Sequence, residues 1–180
     1  YKSDINYVND EKSKELKVSV TYAMDIRNEN ANTDRTVKVN QIVDYFDAKY
    51  EKTGIKVGTA IDETTGEVTG ELSVSNVENV NSKYNKITID TTKLGEIAGT
   101  GENHKTIYVK FDLSKAQIAE ILNGEQSNAP LDNVAEITSY STLQNGKPYA
   151  AIDKDSIPNN SKIGEENTYE DDTDRAPSFV

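Results

Sequence analysis

Between Asp153 and Asp174 the chain carries eight carboxylates against only Lys154, Lys162 and Arg175. Like charges this close repel one another unless a cation sits among them. Calcium is the cation such residues suit, because it takes about six to eight oxygen ligands and accepts carboxylates mixed with amides, hydroxyls and carbonyls. In "AIDKDSIPNN", Asp153 and Asp155 stand at i and i+2 and project to one side of an extended segment. Ser156 and Asn159 can add oxygens, and Pro158 stiffens the turn. In "EDDTD", Glu170, Asp171, Asp172 and Asp174 supply the remaining charge, and "NSKIGEENTY" is long enough to fold the two clusters together. The calcium loop of an EF-hand, with its glycine and its twelfth-position glutamate, is absent. A carboxylate run is also the ordinary composition of a solvated linker. Both readings, metal site and linker, stand open on the residues alone.

Other chemistry is thin. There is no cysteine, so thiolate nucleophiles, disulfides and Cys-based zinc sites are excluded. His104 is the single histidine, in "TGENHKT", which reads as a loop. No phosphate-cradling glycine loop and no HExxH pair occurs. Two carboxylates can hydrolyse a glycosidic bond, but 31 acidic residues supply such pairs by chance. A glycoside-acting enzyme is therefore the weakest of three readings. Ten tyrosines could stack on sugar rings. The absence of tryptophan weakens that, and strand tyrosines such as Tyr22 and Tyr108 are read as core or flank. A net charge of −11 opposes nucleic-acid and anionic-membrane binding, since both need basic patches. No apolar run approaches the roughly 18 to 20 residues of a membrane span, so direct membrane insertion is not expected. No signal peptide opens the chain, so an exported protein would be a longer precursor of which these residues are an excerpt.

Strands must position any such site. From Leu16 to Ile26 every even residue is apolar, a period of two that predicts a strand with one face on a core. "TVKVNQIVDYF" repeats the pattern until the phase slips between Gln41 and Ile42, the mark of a bulge or of a strand changing sheets. "DETTGEVTG" reads as a hairpin tip, with a weak strand near Leu72–Val77 and another at "YNKITID". "KTIYVKFDL" alternates through Ile107, Val109, Phe111 and Leu113. It leads into one helix, "SKAQIAEILNG", capped by Ser114 with Gln117 at the reciprocating position, striped by Ile118, Ile121 and Leu122, and stopped at Gly124. "NVAEITSYST" is a strand and "QNG" a turn. Seven or eight strands with one short helix in a connection predict an all-β, immunoglobulin-like antiparallel sandwich over residues 1–150, followed by the acidic segment 151–180.

"VSVTYAMDIRNEN", "VNQIVDYF", "NVAEITSYST", "IDKDSIPNN" and "YEDDTDRAP" together resemble the sandwich repeats strung in tandem on long surface proteins of Gram-positive bacteria. The likeness runs from about Leu16 to Pro177, with the last two stretches the most specific. It departs at "YFDAKY" and matches little from Gly54 to Gly101. The resemblance implies a stalk or adhesin-type module without turnover, extracellular at the cell surface or cell wall, with adjacent modules of the same chain as its partners. On that reading "RAPSFV" leads into the next module, and calcium in the acidic segment stiffens the junction. The alternative it leaves open is an adhesin domain gripping a glycan or host protein through the 54–101 loops, testable at loop tyrosines such as Tyr84.

The same resemblance implies a covalent staple. Modules of this kind often form an amide bond between a lysine and an asparagine, promoted by a buried acid. Desolvation favours both the neutral amine and the protonated acid that this needs. If the pattern carries over, Lys2, Asp44 and Asn133 are its members. Each has a plainer reading: a surface lysine near a terminus, a turn-forming aspartate, and an asparagine capping the start of a strand.

Overall fold

The computed structural model describes residues 2–10, 15–29, 34–124, 130–149, 157–170 and 172–178, with the side chains of 2–10 described at Ile5. The β2 strand, Glu15–Arg27, realises the alternation seen in the sequence. Val18, Val20, Tyr22, Met24 and Ile26 are buried, while Lys17, Asp25 and Arg27 face solvent. The β9 strand, His104–Asp112, lies antiparallel beside it and turns Ile107, Val109 and Phe111 to the same side. The remaining strands of this sheet are β1 (Lys2–Asp10), β4 (Lys56–Ile61) and β5 (Val68–Glu71), in the order β1-β2-β9-β4-β5.

The second sheet is built on two long strands, β3 (Arg35–Asp47) and β10 (Leu131–Gln144). β7 (Tyr84–Asp90), β6 (Glu78–Asn79) and the short β8 (Ile97–Ala98) extend it beyond β3. β11 (Lys147–Pro148) and β12 (Thr173–Ser178) both pair with β10. The phase slip at Gln41 is real and has a cause. Where β3 meets β10 the register shifts around Ser139, opposite Gln41, so Val39 and Ile42 both reach the core across an irregularity.

The two sheets face each other across Val18, Val20, Ile107 and Val109 on one side and Val39, Ile42, Ile87 and Ile89 on the other. An aromatic cluster closes one end: Phe111 stacks on Phe46 at 4.7 Å between centroids and on Tyr50 at 5.0 Å, with Tyr22 edge-on at 6.0 Å. The chain is an all-β antiparallel sandwich, with a single α-helix, α1 (Lys115–Leu122), among the described residues. The Ser114 hydroxyl accepts the Gln117 amide as the cap requires. The expected helical stripe is only half right. Ile118 packs on the core and Gln117 is buried, but Leu122 is 68% exposed.

Three local expectations are corrected. His104 is the first residue of β9, not a loop residue, and it is held by Asp25 across the sheet. The weak strand at Leu72–Val77 is a single bridge, Val74 with Ile89, between β5 and β6. The boundary at residue 150 does not separate the sandwich from the acidic segment, because β12 runs along β10 from Thr173 opposite Glu136 to Ser178 opposite Leu131. The "QNG" turn is as read: Asn145 and Gly146 both have positive φ, 51° and 75°, the geometry that a two-residue hairpin needs.

Candidate functional site

Asp44 and Asn133 sit on neighbouring strands. The register places Asn133 opposite Phe46 and Ala135 opposite Asp44, so the two polar residues lie diagonally on the core-facing side. Both have no exposed surface, and the Asn133 Nδ2 donates to Asp44 Oδ2 at 3.0 Å. A carboxylate and an amide at the centre of an apolar layer are costly unless partnered. Neither plainer reading survives: Asp44 stands inside β3, three residues before its end, and not in a turn, and Asn133 lies two residues inside β10 and not at its start.

The wall around this pair is aromatic and hydrogen-bonded. The Tyr22 and Tyr50 hydroxyls share a buried hydrogen bond of 2.6 Å. Burial is the first cause pushing the Tyr22 phenol up, to about 12, and burial with the neighbouring Tyr22 phenol raises Tyr50 further still. Both hydroxyls therefore stay protonated donors at any physiological pH. Lys2, the third residue of the expected staple, is the first residue of β1. It pairs with Ala23, while Ser3 pairs with the inward-facing Tyr22. The Lys2 side chain lies outside what the structure describes.

On the opposite face of the same sheet lies a charged site that sequence reasoning missed. Asp132, only 2% exposed, accepts Arg175 Nε at 2.9 Å and Nη2 at 2.5 Å on one oxygen. Its other oxygen accepts Lys83 Nζ at 2.6 Å and the Tyr84 hydroxyl at 2.8 Å. Arg175 also reaches Glu166 at 3.2 Å. Burial alone would raise the carboxyl's pKa, but the hydrogen bonds from Lys83, Arg175 and Tyr84 outweigh it and hold Asp132 below the usual carboxylate range. Tyr84 is thus a buried residue of β7 and not a loop tyrosine, which removes it as a sugar-stacking residue. Further along β10, Glu136 is 1% exposed and accepts the amides of Asn160 and Ser161 at 2.8 and 3.1 Å. These contacts fasten the acidic segment across the sheet. The only advance signal was the pair of acidic residues four apart in "DNVAE", which does not reveal what covers them.

Of the expected calcium ligands, Asp153, Asp155, Ser156 and Asp171 lie outside the described residues. The four described ones do not make a site by themselves. Glu170 uses one oxygen for the Ile157 amide at 2.5 Å and the other for the Asn160 side chain at 3.3 Å, so it braces the turn that contains Asn159. Asp174 accepts the Arg175 amide and Asp172 the Thr173 hydroxyl. Among the described residues no three acidic or histidine side chains converge as metal ligands. Among those residues, too, no helix is long and apolar enough to cross a membrane. Comparison with known proteins finds no matching family model and no matching curated protein.

Proposed function

We propose that the chain is a non-catalytic structural module of a bacterial cell-surface protein, extracellular and joined to neighbouring modules, whose sandwich is stapled by an amide bond between Lys2 and Asn133. The observation that carries this reading is the fully buried Asn133–Asp44 hydrogen bond in the core. A small sandwich without cysteine gains from a covalent link of this type as others gain from a disulfide.

In the crosslinking step the neutral Lys2 amine attacks the Asn133 side-chain carbonyl carbon, the new C–N bond replaces the bond to Nδ2, and ammonia leaves. In that step Asp44, which accepts a hydrogen bond from Asn133 Nδ2, would pass a proton from the attacking amine to the leaving one. Packed sheets lie about 10 Å apart, a gap that a lysine stem and an inward asparagine can close between them. The staple further requires the Lys2 side chain to enter the interlayer space, which the register of β1, with Ser3 and not Lys2 opposite the inward-facing Tyr22, does not by itself supply. Calcium, in this reading, binds the acidic segment through Asp153, Asp155 and their neighbours and stiffens the junction.

Intact mass under denaturing conditions tests the staple. The expected mass is that of the sequence less one ammonia, with the full mass restored in Asn133→Ala and Asp44→Asn. A wild-type chain at full mass removes the crosslink from the proposal. Turnover of a polysaccharide would overturn the structural role itself.

A further inference from the structure

Asparagine is among the thermolabile residues, and most so where a small residue follows it, because the next main-chain nitrogen can attack the side-chain carbonyl carbon. Among the described residues four asparagines precede a glycine or a serine: Asn81, Asn123, Asn145 and Asn160. The attack needs the asparagine side chain and the following nitrogen to be free together. Three of the four fail. Asn81 Oδ1 accepts the amides of Lys83 and Tyr84 at 2.8 and 2.9 Å, which pins its side chain. The Gly124 amide donates to the Ile121 carbonyl at 3.1 Å where α1 ends, and the Ser161 amide donates to the buried Glu136 at 3.1 Å.

Asn145 meets the requirement. It and Gly146 form the exposed tip of the hairpin between β10 and β11. The Asn145 main-chain amide donates to the Asp34 carbonyl at 2.9 Å, but among the described residues nothing bonds to its side chain or to the Gly146 amide. The space beside Gly146 is open, with nothing but its chain neighbours within 4 Å of where a Cβ would stand. The tip is also lightly held. β11 is two residues long, and Pro148, opposite Leu143, has no N–H to give to the ladder. A hairpin end with so few bonds opens locally at little cost, and that opening lets the Gly146 nitrogen swing onto Asn145.

We propose that Asn145 is a site of self-modification, converted through a cyclic imide with Gly146 to aspartate and isoaspartate. In the first step the bond from the Gly146 nitrogen to Asn145 Cγ forms, the bond from Cγ to Nδ2 breaks, and the displaced amide leaves as ammonia, taking the Gly146 amide proton. In the second, one water adds across either C–N bond of the imide. Isoaspartate puts an extra carbon into the main chain of a two-residue loop whose φ angles of 51° and 75° leave it no slack. Either product sets a carboxylate beside Asp34, whose own carboxylate accepts Gln144 Nε2 at 2.8 Å. The hairpin therefore loosens, and with it the seat of Arg35 over the Tyr149 ring, 5.2 Å from the centroid. The reaction uses this chain and water alone, so it is independent of the staple, and neither proposal falls with the other.

The test ages the whole chain in warm neutral buffer, folded and in denaturant, and then cuts it with a glutamate-specific protease, which leaves Asn123 and Asn145 on separate peptides. Mass and retention of the peptides and their fragments distinguish asparagine, aspartate and isoaspartate. The staple would join two such peptides, whereas the imide stays inside one. In the folded chain Asn145 is expected to convert about tenfold faster than Asn123, and in denaturant, where local structure no longer separates them, the two convert alike. Gly146→Asn keeps a residue that tolerates positive φ but crowds the attacking nitrogen, and it slows conversion at Asn145 in both states. Amide exchange supplies the second readout: the Tyr149 amide, which donates to the Thr142 carbonyl at 3.1 Å, exchanges faster in the aged chain than in the fresh one. Equal rates at Asn123 and Asn145 in the folded chain, conversion at Asn145 in denaturant only, or unchanged exchange at Tyr149 after conversion would overturn the proposal.

Discussion

Asp132 places a carboxylate where almost no water reaches, and three donors from two distant parts of the chain satisfy it. Its pKa is depressed, so its contribution to stability is fully present above the ordinary carboxylate value of about 4 and is lost as pH falls through the lower folded value. Asp132→Asn should therefore cost about 2 kcal/mol near neutral pH, the range for hydrogen bonds to a charged group. The deficit should shrink as acid protonates the wild-type carboxylate. Denaturant melts of both proteins from neutral pH into acid check this, and a deficit that stays constant with pH would refute it. Asp132 and Asn133 are adjacent in sequence yet serve opposite faces of one sheet, the first binding Arg175 and the second Asp44. That division follows from the period of two in β10, and "LDNVAEI" already contains it. What it does not contain is the identity of either partner, which lies 43 residues away for Arg175 and 89 for Asp44.

The elements differ in how much of the fold rests on them. Phe111 in β9 is fully buried and stacks on both Phe46 and Tyr50, which makes it the bridge between the sheets at the aromatic end. Phe111→Ala should cost about 3–5 kcal/mol through lost transfer energy and the cavity left behind. Ser114→Ala removes only the cap of α1 and should cost about 1 kcal/mol. Equilibrium unfolding of the two variants gives the comparison, and similar losses would mean that the helix is a structural member and not an appendage. The strands with clean alternation, β2 and β9, are legible because one face is dry and the other wet along their length. β12 escapes such a reading. "TDRAPS" carries little apolar pattern, and it is a strand because β10 offers it an edge and Asp132 holds its arginine.

At the scale of the molecule, β12 and the turn held by Glu136 bind the acidic segment to the sandwich, so a ligand taken by that segment would be felt by the whole fold. A calcium ion bound only by the folded state raises its melting temperature by mass action. The chain in excess calcium is expected to melt higher than in chelator, and a double variant with Asp153→Ala and Asp155→Ala is expected to lose that difference. Identical wild-type melts in both media would leave the segment as a brace that works through the Glu136 hydrogen bonds and the pairing of β12 with β10.

The all-β class, the wet and dry faces of β2 and β9, the irregularity at Gln41, the helix cap and the Asn145–Gly146 turn are all legible in the amino-acid order. Each arises from local periodicity or from the conformational preference of a few neighbouring residues. Folding was needed to bring Asp44 and Asn133 together in the core, to bury Tyr84 against Asp132, to set His104 in a strand and to complete a sheet with the C-terminal segment. Those outcomes depend on which edge pairs with which and on what covers each face. Burial of a polar side chain is a property of its neighbours, and the neighbours here come from strands tens of residues apart.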